Sequence, residues 1–171
     1  DISEDMLQVC MDVTRPAAEC KGIPAYFECY NIAEAKIEKY YHLIVSSLAM
    51  QWIDPLEPVL VNARMHLHEN GRFIFSTLIE STFSVLHRVF TELGIPYPGP
   101  HLLSEEELYR QCTAAGFENV RIETSRYEEE HKSVLDFLRQ LQRTGAKNAS
   151  GTTVSVADMR RVIRRYRELA G

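Results

Sequence analysis

The sequence predicts one α/β domain built around a mainly parallel sheet. Two apolar runs of strand length, "HLIVSSL" and "RFIFST", are separated by a segment with helical spacing. Strands that alternate with helices are typical of crossover connections between parallel strands. The 171 residues suffice for one domain with a sizeable core, and no internal repeat or low-complexity linker divides them.

The first half alternates helices and strands. Ser3 is a good N-cap for the first helix, and the unbroken apolar run His42–Leu48 predicts a strand buried on both faces. A Gly turn at Gly71 precedes the last strand of this half. In chain order the predicted elements are a helix over 3–11, strands over 25–30 and 42–48, a helix over 55–68 and a strand over 72–77.

The second half is more helical. Ser104 and Glu107 form a capping-box pattern, and Gly94 and Gly116 stand where helices should end. The segment "ENVRIETSRY" alternates in polarity as an edge strand would. The predicted elements are helices over 80–94 and 104–116, a strand over 118–127, and helices over 133–143 and 156–169.

Composition excludes several classes of protein. The longest apolar runs fall far short of the ~20 residues that a membrane span needs, so no membrane association is predicted. The four cysteines show no C-x-x-C pair and no zinc-ligand spacing, which predicts reduced thiols, no metal and a cytoplasmic protein, with one disulfide as the alternative. The net charge is -5, but the segment from Arg139 onward carries +6 and the first 138 residues carry -11. This basic end indicates an acidic partner or simply a solvated helix face.

No glycine-rich phosphate-binding motif is present in the chain, although a doubly wound sheet normally has one after its first strand. Buried strands also need neighbours, because each unpaired ladder group costs about 1 to 3 kcal/mol. We therefore expect the chain to be part of a longer one that supplies a first strand and helix and a last strand. A genuine fragment that folds differently or with a partner is the alternative.

Five segments together resemble a known family. "DISEDML", "HLIVSSLAMQW", "ENGRFIFSTL", "LSEEELYRQCTAAGF" and "LRQLQRTGAKNAS" are similar, in order and spacing, to class I S-adenosylmethionine-dependent methyltransferases, most closely the malonyl-[acyl-carrier-protein] O-methyltransferases of biotin synthesis. The resemblance implies an incomplete Rossmann-like three-layer sandwich over 1–171. It further implies a remaining cofactor-binding half over 1–78, and a helical insertion, edge strand and substrate lid over 79–171.

The resemblance implies S-adenosyl-L-methionine as the cofactor. An ionised carboxylate can accept from two vicinal ribose hydroxyls, and this would be the role of Asp1, which is otherwise a surface carboxylate. Asn31 would accept from the adenine amino group, or else is only a turn residue. Ser46 lies at the carboxyl end of a strand, where it either meets ligand or caps the next loop. The implied cofactor-binding residues are Asp1, Ile2, Asn31, Ile32, Ser46 and Gln51.

The implied substrate-binding residues are Arg139, Trp52 and Asn148. Arg139 matches the arginine that the family uses for the malonyl carboxylate, and its alternative is an exposed helix charge. Trp52 would form a wall beside the sulfonium, or else belongs to the core. No residue is predicted as a catalytic base, because a carboxylate nucleophile is already ionised at neutral pH.

The resemblance thus implies an enzyme that methylates the free carboxylate of a malonyl thioester on acyl carrier protein. An accessory protein that has lost cofactor binding is the alternative, and a nicotinamide-dependent oxidoreductase finds no support in the motifs. Nucleic acid is excluded as a partner by the overall acidity. The acidic carrier protein is predicted to dock on Arg160, Arg161, Arg164, Arg165 and Arg167.

Overall fold

A computed structural model describes residues 3–34, 39–143 and 152–170. In chain order, the elements are α1 (Glu4–Cys20), β1 (Tyr41–Ser47), a 3-10 turn (Met50–Trp52), α2 (Glu57–Met65), β2 (Leu67–Ser76), α3 (Ser84–Glu92), α4 (Glu105–Ala114), α5 (Val134–Arg143) and α6 (Val156–Ala170). None of these helices combines the length and the apolarity that crossing a membrane requires.

Strands β1 and β2 pair in parallel, with Leu43 opposite Arg72 and Ser47 opposite Ser76. Helix α2 connects them and packs against β2. Parallel neighbours need such a crossover, because the chain must return to the same edge of the sheet before the second strand starts. The predicted α/β class with a parallel sheet is therefore confirmed for the described residues.

Two predicted strands are wrong. The segments 25–30 and 118–127 contain no strand, and most of their side chains are exposed. Alternating or aromatic residues fit a pleated surface, but a strand forms only where a neighbour pairs with its backbone. In the described part of the chain the sheet has two strands, and neither segment is hydrogen-bonded to it.

The prediction that β1 is buried on both faces is also wrong in this structure. Leu43 is 53% exposed and Val45 is 65% exposed. The apolar composition of β1 was the basis of that prediction, but burial depends on the layers that pack on the sheet. Within the described residues, α2 and its neighbours cover β2 more than they cover β1.

Helix ends follow local chemistry. The Ser3 hydroxyl accepts from the Met6 N–H at 3.3 Å, and α1 then continues to Cys20, nine residues beyond the predicted end at Met11. The Ser104 hydroxyl accepts from the Glu107 N–H at 3.1 Å, which confirms one half of the capping box. The Glu107 carboxylate does not complete the reciprocal half within the described contacts, because it binds side chains of its own helix instead.

Two apolar clusters hold the described residues together. The first core lies between the 3-10 turn, α2 and α4, and the second core lies between α3, α5 and α6. The buried members of the first core are Met50, Leu56, Val59, Leu60, Leu108 and Cys112. The buried members of the second core are Leu86, Val89, Phe90, Phe137 and Val162.

Candidate functional site

The carboxyl ends of β1 and β2 carry a connected set of polar groups. The hydroxyls of Ser47 and Ser76, which face each other in the register, are 3.2 Å apart. The Leu48 N–H donates to the Ser76 hydroxyl at 3.2 Å and to the Ser76 carbonyl at 3.0 Å. Open parallel sheets bind ligands at this edge, so the arrangement defines the candidate site.

The chain turns sharply after β1. Leu48 has φ +50°, a left-handed conformation that side chains with a Cβ rarely adopt. The Gln51 side chain then spans the site. Its amide nitrogen donates to the Leu48 carbonyl at 2.8 Å, and its amide oxygen accepts from the Thr77 hydroxyl at 3.3 Å.

Two cavities adjoin this edge. The smaller one, of about 20 Å³, is walled in part by Gln51 and Thr77. The larger one, of about 190 Å³, has the side chains of Asp54, His101 and Gln111 in its wall. The two cavities share the lining residues Ile53, Leu56, His101 and Leu103. The two cavities therefore lie next to each other, and the smaller one is the one that reaches the end of β2.

Charged residues from three segments line the larger cavity, namely Asp54, Glu57 of α2 and Arg110 of α4. The Arg110 guanidinium donates to the Glu107 carboxylate at 2.6 and 2.9 Å, and Gln111 donates to it at 2.9 Å. These hydrogen bonds lower the pKa of Glu107 from 4.5 to about 2, with Arg110 as the main cause. Glu107 therefore stays ionised at neutral pH. Burial raises the pKa of the Cys112 thiol, so this cysteine is not an activated nucleophile.

Two of the predicted cofactor residues, Ser46 and Gln51, lie near the strand ends, and Asn31 and Ile32 lie in a loop that contacts α2. Ser46 is half-buried near the end of β1, opposite Phe75. The Asn31 amide oxygen accepts from the Ala33 N–H at 3.1 Å, so this side chain forms a local turn. The Ile32 carbonyl accepts from the buried Asn62 amide at 3.0 Å, which ties this loop to α2. The cofactor roles of these residues remain predictions.

The predicted substrate residues are less closely grouped. Trp52 is 42% exposed at the end of the 3-10 turn, so it is not a core residue. Arg139 is exposed on α5, and its guanidinium has no hydrogen-bond or ion-pair partner in the part of the chain that the structure describes. Asp1, Ile2 and Asn148 lie outside the described residues.

The predicted docking arginines differ in their contacts. Arg161 pairs with Asp158 at 3.0 Å. Arg165 pairs with Glu92 at 2.8 Å and with Glu168 at 2.9 Å, so it links α6 to α3. No such partner is found among residues 3–34, 39–143 and 152–170 for Arg160, Arg164 and Arg167.

Sequence reasoning missed Ser76, Thr77 and His101. The rule that singled out Ser46, namely a hydroxyl at the carboxyl end of a strand, applies equally to Ser76 and Thr77. His101 has no such signal, because it follows a proline-rich loop whose path is set by tertiary packing. Across the described ranges, no cluster of three or more His, Cys, Asp or Glu side chains could hold a metal ion.

Comparison with known proteins identifies relatives over most of the chain. It is 30% identical to a malonyl-[acyl-carrier protein] O-methyltransferase of Bacillus cytotoxicus over 134 residues, which is 74% of this chain and 47% of the relative. It is 33% identical to the Magnetococcus marinus protein of the same name over 129 residues, with the same two coverages. The resemblance to these methyltransferases is confirmed.

A biotin biosynthesis bifunctional protein of Bordetella avium is 28% identical over 169 residues, which is 97% of this chain and 34% of that protein. The chain spans about half the length of the methyltransferase relatives it matches. No protein-family model matches it. A solved S-adenosylmethionine-dependent methyltransferase from Clostridium acetobutylicum covers 67% of this chain at 15% identity, with a TM-score of 0.48 over 61% of its own chain. This TM-score is too low to support a conclusion about fold or activity.

Proposed function

We propose that the complete protein is an S-adenosylmethionine-dependent O-methyltransferase that esterifies the free carboxylate of a malonyl thioester on acyl carrier protein. The observation that carries this proposal is the identity of about 30% to relatives of that name over three quarters of the chain. The three free thiols on the surface, those of Cys10, Cys20 and Cys29, are compatible with a reducing cytoplasm.

The strand-end groups have chemistry that suits this cofactor. When bound, S-adenosylmethionine supplies a methyl group on a positively charged sulfur. The half-exposed indole of Trp52 offers an aromatic face, which attracts such a cation. The hydroxyls of Ser47 and Ser76 offer donors and acceptors at the same edge of the sheet.

The reaction requires the protein to align the two reactants, and it does not require the protein to transfer a proton. A malonyl carboxylate is ionised at neutral pH, so its oxygen can attack the methyl carbon without a base, while the carbon–sulfur bond breaks. Holding the two reactants in line can supply about 7 to 11 kcal/mol of the barrier reduction. We therefore assign the side chains of this site to binding, orientation and exclusion of water.

Arg139 is proposed to bind the substrate carboxylate. Residue 139 is exposed on α5 and its guanidinium has no partner among the described residues, and a guanidinium can bind a carboxylate as a bidentate pair. The neighbouring Phe137 and Leu138 belong to the second core and hold α5 against α3 and α6. An exposed arginine that has no partner among the described residues, on a helix anchored by its apolar face, suits a binding role better than a structural role.

The test is methyl transfer by the complete gene product, with labelled S-adenosylmethionine and malonyl-carrier protein. We expect R139A to lose about tenfold to a hundredfold in kcat/KM, because a hydrogen bond to a charged group contributes about 1.5 to 3 kcal/mol. R126A, which removes an exposed arginine whose described partner is Glu128, is the matched control and should retain activity. Calorimetry that detects no cofactor binding by the folded complete protein would favour the accessory-protein alternative.

Docking of the carrier protein is proposed for the exposed arginines of α6. Arg160, Arg164 and Arg167 are free of described partners, whereas Arg161 and Arg165 are held in ion pairs within the chain. An acidic partner gains most from the unpaired charges, because it does not have to break an existing pair. We therefore expect the first three arginines to contribute more to docking than the other two.

A further inference from the structure

We propose that Gln51 and Thr77 are positioning residues, whose side-chain hydrogen bond clamps the turn after β1 to the end of β2 and thereby fixes Trp52 at the site. The consequence for catalysis rests on the function proposed above. The clamp itself is a structural claim and can be tested without activity.

The first line of support is that both polar atoms of the Gln51 amide are engaged. Its nitrogen donates to the Leu48 carbonyl at 2.8 Å, and its oxygen accepts from the Thr77 hydroxyl at 3.3 Å. The Thr77 hydroxyl has the Leu78 carbonyl as its other acceptor, at the longer distance of 3.4 Å. One side chain therefore links the turn after β1 to the first residue after β2.

The second line of support is the backbone at Leu48. This residue has φ +50°, which is unfavourable for a leucine and persists only where the surroundings enforce it. Its N–H is held by the Ser76 carbonyl and hydroxyl, and its carbonyl is held by Gln51. Leu48 is half-exposed, so these polar contacts, rather than packing, maintain its conformation.

The third line of support is the way Trp52 is held. Of the three residues in the 3-10 turn, Met50 is buried in the first core, Gln51 is hydrogen-bonded at both ends and Trp52 is 42% exposed. An indole with that much exposure is not fixed by its own burial. Its position therefore depends on its neighbours, and Gln51 is the adjacent residue that is tied to both strand ends.

This assignment changes the role predicted for Gln51. The sequence places it among the cofactor-binding residues, yet its amide already serves two internal contacts. A residue that acts through Trp52 should affect the rate of reaction more than the affinity for cofactor. A displacement of about 1 Å at a reacting centre can lower the rate a hundredfold, so even a small movement of the turn has consequences.

The test uses acrylamide quenching of Trp52 fluorescence in the complete gene product, with the signal remaining in W52F subtracted. T77V removes the hydroxyl and keeps the side-chain shape, whereas T77S keeps the hydroxyl and is the matched control. We expect T77V to raise the quenching constant about twofold, as a locally opened turn would, and T77S to match the wild type. If T77V does not fold, Q51M removes both contacts and carries the same test.

The kinetic arm measures methyl transfer by the same variants. We expect T77V to lower kcat about tenfold while KM and the cofactor Kd stay within about twofold, with T77S restoring the rate. Equal quenching in T77V and the wild type, or equal changes in T77V and T77S, would overturn the clamp. A wild type that transfers no methyl group would refute the proposed function, while the quenching result would still decide the clamp.

Discussion

The sheet half and the helical half of the molecule use polar side chains in different ways. In the sheet half, which comprises β1, the 3-10 turn, β2, α2 and α4, the strand-end hydroxyls and the Gln51 amide bind one another. In the helical half, which comprises α3, α5 and α6, charges lie on the surface and several arginines have no described partner. The first arrangement fixes geometry, and the second presents charge to other molecules.

The two halves also differ in which interactions contribute to their stability. The ion pairs of Glu92 with Arg88 and Arg165 are partly exposed, and exposed pairs contribute only about 0 to 1 kcal/mol each. The helical half must therefore be held mainly by its second core. The sheet half combines the first core with hydrogen bonds of 3.0 to 3.3 Å between the ends of the two strands. Removal of equivalent apolar groups from the two cores tests how independent the halves are.

The largest expected effect is that of L60A in the first core. Leu60 is 0% exposed, and truncation of a buried leucine to alanine costs about 2 to 5 kcal/mol of the free energy of unfolding. L86A is the matched change in the second core, where Leu86 is 3% exposed. Within residues 3–34, 39–143 and 152–170, no element of the sheet half packs extensively on α3, α5 or α6. L60A should therefore shift the unfolding of the Trp52 region more than L86A does.

Urea unfolding of the complete gene product, followed by Trp52 emission with the signal of W52F subtracted and by far-ultraviolet circular dichroism, measures this difference. Trp52 is the only tryptophan in the chain and belongs to the sheet half. We expect the two probes to give different transition midpoints in L86A, with the midpoint from circular dichroism at a lower urea concentration than the midpoint from Trp52 emission. Equal shifts of both midpoints in both variants would show that the molecule unfolds as one cooperative unit. The two halves would then differ only in their surface chemistry.

The next effect concerns the charged surface of the helical half. Replacement of Arg160, Arg164 and Arg167 by glutamate should weaken binding of an acidic carrier protein by about tenfold or more at low salt, with the difference shrinking as salt screens the charges. The measurement is calorimetric titration at two ionic strengths. A matched K21E/R72E/K132E variant, which makes the same change of charge at exposed residues elsewhere, should bind much closer to the wild type than the α6 variant does. Equal affinity of the arginine variant and the wild type would place docking on another surface.

A smaller effect is expected from helix capping, which the two halves share. Ser104 caps α4 through the Glu107 N–H at 3.1 Å, and Ser155 caps α6 through the Asp158 N–H at 3.0 Å. Each change to alanine should cost about 1 kcal/mol in thermal or urea unfolding. Similar losses are expected in both halves because a cap is a local interaction. A much larger loss for S104A would mean that α4 contributes to the site beyond its own stability.

Features that depend on local sequence patterns could be predicted, and features that depend on tertiary contacts could not. The strands β1 and β2 were predictable because each contains an apolar run of strand length, and α4 was predictable from its cap. The turn predicted at Gly71 is wrong, because Gly71 lies inside β2 (Leu67–Ser76). Residues 12–20 of α1 were missed because no residue of that helix is buried, so no apolar stripe marks them. The contact between Gln51 and Thr77 depends on the register that sets Ser47 opposite Ser76. A register is a tertiary property, which no local pattern encodes.

The smallest expected effect is a dependence of stability on pH that arises from Glu107. Hydrogen bonds from Arg110 and Gln111 lower its pKa from 4.5 to about 2. A depressed carboxyl pKa adds stability above pH 4.5, and this contribution is lost as the pH falls towards about 2. Thermal melts of E107Q should therefore change less with pH across this window than those of the wild type. E92Q is the matched variant in the helical half, where Arg88 and Arg165 also lower the pKa of Glu92. Since both carboxylates are partly exposed, solvent screening keeps each effect small. A steep loss of stability at low pH that survives in both variants would trace acid sensitivity to other groups.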